Sequence, residues 1–422
     1  ATLAVEGGGT FIYSSDKTIE LNGPGAAGGA ALKNLNGNTA FEGTIALAAN
    51  SDISVNAGSL DLVGGINGPS YNLTITGAGE LDLTSSDNNY SNTLVSGGTL
   101  DVGDPASAGT GQVTVSSGGT FAGDSSEAAP GGVNLSGTIY PGDGIYAAAL
   151  GTASETWNGG ASYNWVIDDV NGPSGSDPGY STINISGILD ISASSAIPIT
   201  IHLISFDSNS DTPGPVNDFD NTQVYSWTIA TASGGITGFN AADFVIDASG
   251  FQNPPGDGAF IVQQIGNSIV VSFEQKPQIM AGPLSQTINQ CDPVTFSVTA
   301  TGSGALSYQW FDNNGAAIPG ANSTSYTIPD VQFANAGTYT VTVSNLSGYT
   351  ATNSATLTVS NPPPVVGTGN LITVTLNNGS YTLSQAEKGA LAAGSYDHCG
   401  DSAITTTNIV PGATFTCGNV GT

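Results

Sequence analysis

The amino-acid sequence predicts an all-β protein made of several domains. Short runs that alternate apolar and polar residues recur along the chain, for example at 73–76 (LTIT) and 113–116 (VTVS), with clusters of Gly, Asn, Ser and Pro between them. Helical periodicity is nearly absent. The 422 residues are enough for about two to four domains, and 39% hydrophobic residues provide the apolar surface for their cores.

A short phrase recurs through the first third of the chain. Its apolar anchor falls at Leu60, Leu81, Leu100 and Phe121, in steps of 21, 19 and 21 residues. Steps of this size match one turn of a β-solenoid, in which each coil buries its inward side chains against the neighbouring coils. The sequence therefore predicts a rod of stacked coils that is already under way near residue 1.

The repeated phrase also resembles a known family. The GGTL motif and the later segments 137–143 (GTIYPGD) and 186–191 (SGILDI) are similar to the autotransporter-associated β-strand repeats of bacterial surface proteins. The resemblance covers roughly residues 1 to 195. It implies a right-handed parallel β-helix that is exported and usually has no catalytic role in the repeat itself.

From about residue 196 to 275 the repeat fades and large aromatic residues take its place. We expect this part to be β-rich and to close the end of the rod, because a bare terminal coil would expose an aggregating edge. Residues 1–275 are therefore predicted to form one domain. The aromatic residues of the closing region include Trp227, Phe239, Phe244 and Phe260.

The segment 278–360 resembles an immunoglobulin-like β-sandwich. Residues 294–298 (VTFSV), 308–310 (YQW) and 335–341 (NAGTYTV) match the B strand, the C-strand tryptophan and the tyrosine corner of that fold, which makes Trp310 and Tyr339 core residues. Val298 and Val341 stand where antibody domains have cysteines. We expect apolar packing against Trp310 to replace the disulfide.

A proline-rich spacer at 361–365 (NPPPV) precedes a last module at 367–422. This module is similar to small disulfide-bearing β-sandwich repeats of secreted bacterial adhesins, related to the hyalin-repeat type. In that family the phrase after the second cysteine leads into another long strand, whereas this sequence stops at Thr422. The module is therefore expected to be an incomplete sandwich.

Three cysteines occur in the chain. Cys399 and Cys417 are 18 residues apart, and a bridge between them would stabilise a small module by about 3 kcal/mol, so we expect a disulfide and an oxidising compartment. Two buried free thiols are the alternative. Cys291 is left over, and it is either a buried thiol or half of an intermolecular bridge.

The charge balance excludes several classes of partner. The chain has 33 acidic residues against 4 basic ones, a net charge of −29. Nucleic acids and anionic membrane surfaces are bound through many Lys and Arg side chains, so neither is expected as a partner. Divalent cations, basic surfaces and neutral glycans remain. No apolar run is long enough for a membrane-spanning helix, and we expect an extracellular or cell-surface protein.

The sequence offers little for catalysis. Polysaccharide lyases built on β-helices need a basic residue, and this chain has only four lysines and two histidines, His202 and His398. Carboxylate pairs for glycoside hydrolysis occur by chance among 33 acids. The chain is therefore predicted not to be an enzyme, and a polysaccharide-active enzyme is the weakest of three alternatives.

A row of aspartates is the best candidate for a ligand site. Asp61, Asp82 and Asp101 each follow an inward leucine, so a regular stack would place their carboxylates about 4.8 Å apart on the outer face. At that distance like charges in water repel by about 1 kcal/mol per pair. A bound Ca²⁺ would relieve the repulsion. A solvated acidic face screened by salt is the alternative.

The two ends of the chain suggest self-association. The first strand has no preceding coil and the last module lacks a strand, so both leave backbone groups to be paired. A head-to-tail contact near Ala1, Leu3, Val420 and Thr422 would satisfy them and yield a filament. The alternative is a precursor that continues beyond these residues. We predict a secreted structural protein of a bacterial surface or filament, with an adhesin that binds glycans or surfaces as the alternative.

Overall fold

The fold is taken from a computed structural model of the chain. The structure describes residues 2–5, 11–13, 16–26, 29–103, 108–142, 146–210, 212–345 and 347–360, together with the short strands 380–382 and 414–416. The chain divides into two compact units, Ala1–Gln275 and Lys276–Thr422. Nearly all regular structure in the described residues is β-strand, as the sequence predicts.

The first unit consists of long parallel sheets. Over most of the unit, consecutive strands of the chain belong to different sheets, so that each sheet gains one strand at a time. Sheet 1 has ten strands, and every pairing within it is parallel. This arrangement is compatible with a β-helix. The strands of sheet 1 are Leu3–Val5, Leu32–Asn34, Ser51–Val55, Leu73–Gly77, Thr93–Val95, Val113–Val115, Val133–Leu135, Glu155–Asn158, Leu189–Ser192 and Ile236–Thr237.

Sheet 2 contains eleven strands and carries the repeated phrase. Its pairings are parallel except for the short strand Thr212–Pro213, which runs antiparallel to the end of Ile199–Asp207. The other strands of sheet 2 are Phe11–Tyr13, Thr39–Phe41, Ser59–Leu62, Glu80–Leu83, Gly98–Val102, Gly119–Gly123, Thr138–Pro141, Ser162–Ile167 and Phe244–Gly250.

Two smaller sheets complete the unit. Sheet 3 is parallel and consists of Thr18–Leu21, Thr44–Leu47, Ile66–Gly68 and Asn89–Tyr90. Sheet 4 begins with three parallel strands and ends with two antiparallel ones, in the order Ala149–Thr152, Thr182–Ile185, Tyr225–Ala232, Ser268–Gln275 and Gly258–Ile265. A short 3₁₀ turn occupies Ala241–Asp243.

The apolar anchors of the repeat form one column in sheet 2. Leu81 lies in register with Leu60 and Leu100, and Leu100 with Phe121, and all four are buried. Because strand side chains alternate between faces, the aspartate after each leucine faces outward. Gly58 and Gly98 open two of these strands with φ values of +73° and +70°, a left-handed conformation that favours glycine at the turn.

The closing region ends in a cluster of aromatic side chains. Trp227 and Phe273 are buried, and Tyr225 stacks on Trp227 with ring centroids 5.4 Å apart. Phe260 packs against Phe251 and Phe273 at 4.9 and 5.0 Å. These rings belong to the same core as the leucine column, so one continuous core runs through the described part of the unit.

The second unit contains a β-sandwich. One side has Gln278–Ala281 paired with Thr299–Thr301, and Val294–Ser297 paired with Ser325–Ile328. The other is a four-stranded sheet in the order Gln286–Asn289, Thr350–Ser360, Gly337–Ser344 and Ser307–Phe311. The first pairing of that sheet is parallel and the other two are antiparallel. A 3₁₀ turn occupies Phe333–Asn335.

The core of this sandwich contains the residues that the sequence singles out. Trp310 is completely buried, and Val298 and Val341 lie in the same apolar cluster. The Tyr339 hydroxyl donates a hydrogen bond to the carbonyl oxygen of Asn335, 3.1 Å away. This contact is the back-bond of a tyrosine corner.

Little of the last module is described. Ser380–Thr382 pairs in antiparallel fashion with Thr414–Thr416, but Cys399 and Cys417 lie outside the described residues, and a second sandwich is not shown. Cys291 has a φ of +69°, and its bonding state stays a prediction. The pairing of Cys399 with Cys417 stays a prediction as well.

Candidate functional site

The predicted aspartate row is present on the outer face of sheet 2. Asp82 lies in register with Asp61 on one side and Asp101 on the other, one strand spacing away in each direction. The row ends in alanines, since Ala40 pairs with Asp61 and Ala122 with Asp101. All three aspartates are half-buried rather than fully exposed.

Burial and neighbouring carboxyl groups change the protonation of the central aspartate. Burial, followed by a side-chain hydrogen bond with Glu80 and the charges of Glu80, Asp101 and Asp61, raises the pKa of Asp82 to about 8. Its Oδ1 atom is buried and makes no hydrogen bond. Burial also raises the pKa of Asp61, against a hydrogen bond from the Thr84 hydroxyl at 3.2 Å. Asp82 therefore holds a proton near neutral pH.

The row does not form a recognisable metal centre. Within the described residues, no group of three or more His, Cys, Asp or Glu side chains is arranged to hold a metal ion. Ca²⁺ prefers six to eight oxygen ligands that surround it, whereas carboxylates in a single row approach from one side. Binding of Ca²⁺ to Asp61, Asp82 and Asp101 thus stays a prediction.

His202 lies farther along sheet 2, in register with Asn164 and Asp247. Its Nδ1 atom is 3.0 Å from Oδ2 of Asp247, and both side chains are partly exposed. Hydrogen bonds from the side chain and backbone of Ser249, then from His202, lower the pKa of Asp247 to about 2. The histidine thus points outward, as strand alternation predicts, and contacts a neighbouring strand.

A groove lies over sheet 4, and we call it the sheet-4 groove. It has a volume of about 500 Å³ and is lined by residues from successive strands and turns between 126 and 233. Gly151, Asn184 and Thr231 lie in register across the three parallel strands of sheet 4. Ser186, Ser233 and Glu127 are among the remaining lining residues.

A buried carboxyl group lies under this groove. Glu155 is 2% exposed and accepts hydrogen bonds from the Thr152 hydroxyl at 2.6 Å and from Trp157 Nε1 at 2.5 Å. Burial raises the pKa of Glu155 to about 6 despite these two donors. The backbone oxygen of Thr152 accepts from both the N–H and the hydroxyl of Ser186. These bonds tie the floor of the groove to the core.

The sequence did not indicate Glu155 or the groove. Strand alternation places Glu155 on the same face as the buried Trp157, which is a usable signal for a buried acid. Asn184 and Thr231 are 47 residues apart, and only the pairing of their strands brings them together. Trp157 and Trp165 are completely buried, so both pack in the core and neither is exposed for stacking on a sugar.

The predicted assembly residues are only partly described. Leu3 lies in the first strand of sheet 1 and is 47% exposed, while Ala1, Val420 and Thr422 lie outside the described residues. An apolar cavity of about 50 Å³ adjoins Leu3 and is also lined by Val5, Ile19 and Phe41. Self-association at this place stays a prediction.

Comparison with known proteins supports the fold of the second unit. The family model of the immunoglobulin domain matches residues 276–345. No curated protein matches the chain. In the part of the chain that the structure describes, no helix is long and apolar enough to span a membrane.

Several solved structures are similar to part of the chain. A chimeric titin Z1Z2 carrying a KLER peptide from decorin is 27% identical over 21% of this chain and 96% of its own, with a TM-score of 0.19. Titin domain M7 is 26% identical over the same shares, also with a TM-score of 0.19. The IG1 and IG2 domains of DIP-gamma are 12% identical over 26% of this chain and 73% of theirs, again at 0.19.

Proposed function

We propose that this chain is a non-enzymatic structural or adhesive protein of the cell exterior. In this proposal residues 1–275 form a right-handed β-helical rod and residues 278–360 an immunoglobulin-like module, with a small sandwich at 367–422. The observation that carries it is the stack of ten in-register parallel strands around one apolar core. Such a stack makes a stiff and regular surface, because each coil is held by its neighbours.

The composition supports a role without catalysis. Four lysines and two histidines leave few candidates for a cationic electrophile or for a base other than a carboxylate. His202 is engaged with Asp247, and the raised pKa of Asp82 has its causes in burial and in the neighbouring carboxyl groups. The immunoglobulin family match adds a module type that is used widely in adhesion and in elastic or structural chains.

Immunogold electron microscopy of the native material tests this function. We expect label on the outer cell surface or on extracellular fibres. A parallel assay should find no release of reducing ends from a panel of plant, fungal and bacterial polysaccharides. Label confined to the cell interior, or turnover of any polysaccharide above the level of a heat-treated sample, would contradict the proposal.

Self-association is the finer part of the proposal. Leu3–Val5 is an edge strand of sheet 1, and such an edge pairs readily with another chain. We expect sedimentation velocity to show a concentration-dependent series of oligomers. Leu3→Lys should shift that series towards the monomer, whereas Leu94→Lys, at an exposed position inside sheet 1, should not. A wild-type chain that remains monomeric at every concentration would exclude the filament.

A further inference from the structure

We propose that the sheet-4 groove binds a neutral saccharide chain. This proposal goes beyond a structural role for the stack and does not depend on it. At about 500 Å³ the groove has the size of a ligand site rather than a surface dimple. The class of ligand follows from three features: the chemistry of the lining side chains, the pairing of the strand backbones and the charge of the chain.

The side chains that face the groove carry hydroxyl and amide groups. Asn184 is exposed and Thr231 half-exposed, and their strands place them about one strand spacing, roughly 4.8 Å, apart. Gly151 lies in register with Asn184 on the next strand and adds no side chain to the groove. Hydroxyl and amide groups donate and accept hydrogen bonds at once, and this suits a ligand that has many hydroxyl groups of its own.

An extended peptide fits the groove less well. Peptides that add to a sheet use backbone N–H and C=O groups at an open edge. The strand Thr182–Ile185 is paired on both sides, and Thr152 is bridged on its other side to Ala129. Polar recognition in the floor of the groove therefore depends on side chains. Among the described residues that line it, Ile185 is the one large apolar side chain, and none is aromatic.

Charge excludes anionic ligands. Within the part of the lining that the structure describes, Glu127 is the one ionisable residue. The whole chain carries −29, and this field repels phosphates, uronates and sulfated glycans. A single carboxylate beside many hydroxyl and amide groups suits a neutral polyhydroxyl ligand better than a cation.

The floor of the groove is preorganised. The hydrogen bond from Thr152 to the buried Glu155 and those from Ser186 to the Thr152 carbonyl fix the strands beneath Asn184. A site held this way loses little conformational freedom when a ligand binds.

Titration calorimetry on the full chain tests the proposal. The probes are cellohexaose, maltohexaose, mannohexaose and chitohexaose, with hexagalacturonate as the anionic comparison. The test variant is Asn184→Ala with Thr231→Val. The matched control is Asn67→Ala with Thr44→Val, two exposed positions of sheet 3 that lie outside the groove.

We expect at least one neutral hexasaccharide to bind with a Kd of about 1 mM or lower, and hexagalacturonate at least about tenfold more weakly. The groove variant should weaken binding roughly tenfold or more through the loss of two hydrogen bonds, and the control should stay within about twofold. Thermal melts check that both variants are folded. The proposal is overturned if no neutral probe binds, if the anionic probe binds as well, or if the folded groove variant binds like the wild type.

Discussion

Asp82 makes the stability of the first unit depend on pH. The folded state raises its pKa from 3.8 to about 8, so the folded chain holds a proton that the unfolded chain releases. Its contribution to stability is therefore complete below about pH 4 and is lost as the pH rises through 8. We expect Asp82→Asn to melt like the wild type near pH 4 and at least about 2 °C higher at pH 8.5.

Asp52→Asn is the matched control for this change. Asp52 is half-exposed in sheet 1 and its register neighbour on the next strand is Thr74 rather than a carboxylate. At both pH values the melting temperature of Asp52→Asn should lie within 1 °C of the wild-type value, as is usual for surface substitutions. An equal rise of the melting temperature at pH 8.5 in both variants would show that the total charge of the chain, and not the aspartate row, sets the pH dependence.

Removal of divalent cations tests the other hypothesis for the row. If Ca²⁺ bridges Asp61, Asp82 and Asp101, a chelator should lower the melting temperature of the wild-type chain, and Asp82→Asn should lose most of that sensitivity. The measurement is a melt with and without chelator at constant ionic strength. An identical pair of wild-type curves would exclude a stabilising Ca²⁺ ion at the row.

Glu155, inside the core, also makes the first unit less stable as the pH rises. Its pKa rises from 4.5 to about 6 on folding, and this corresponds to about 2 kcal/mol of stability that is present below pH 4.5 and lost above pH 6. Glu155→Gln keeps an acceptor for Trp157 and a polar partner for Thr152 without the buried charge. Urea denaturation should show that the variant is more stable than the wild type at pH 8 and not at pH 4.5. A variant less stable than the wild type at both pH values would assign the carboxylate a net stabilising role.

At the scale of single elements, the repeat predicts its own packing. Leu81 is completely buried between Leu60 and Leu100, so Leu81→Ala should destabilise the first unit by about 2–5 kcal/mol. Leu94→Ala makes the same substitution on sheet 1 at a side chain that is 37% exposed, and its cost should stay below about 1 kcal/mol. Equal losses would mean that the column is not the centre of the core.

The sequence could predict this column because its period is regular. A step of about 20 residues fixes which leucines meet, and alternation then fixes that Asp61, Asp82 and Asp101 face outward. The degree to which these aspartates are buried could not be predicted, because it depends on neighbouring strands and turns. The sheet-4 groove could not be predicted from the sequence, because Gly151, Asn184 and Thr231 are separated by unequal intervals and no constant period brings them together.

The whole molecule consists of two units, and each has its own core. The first depends on apolar residues that repeat along the chain, and the second on a few large residues around Trp310. Recognition of the second from sequence was easier, because the tryptophan and tyrosine of an immunoglobulin sandwich have fixed neighbours. The family match at 276–345 agrees with that interpretation.

Separate cores predict separate unfolding transitions. Tyr339→Phe removes the hydroxyl that bonds to Asn335 and should cost the second unit about 0.5–1.5 kcal/mol. In the same calorimetric scan of the full chain, Leu81→Ala should lower the midpoint temperature of the other transition. Fragments 1–275 and 276–422, expressed apart, should each reproduce one of the two transitions, and the second fragment retains all three cysteines. A single transition that both substitutions shift together would show that the two units fold as one cooperative body, because a local loss of stability then reaches the whole chain.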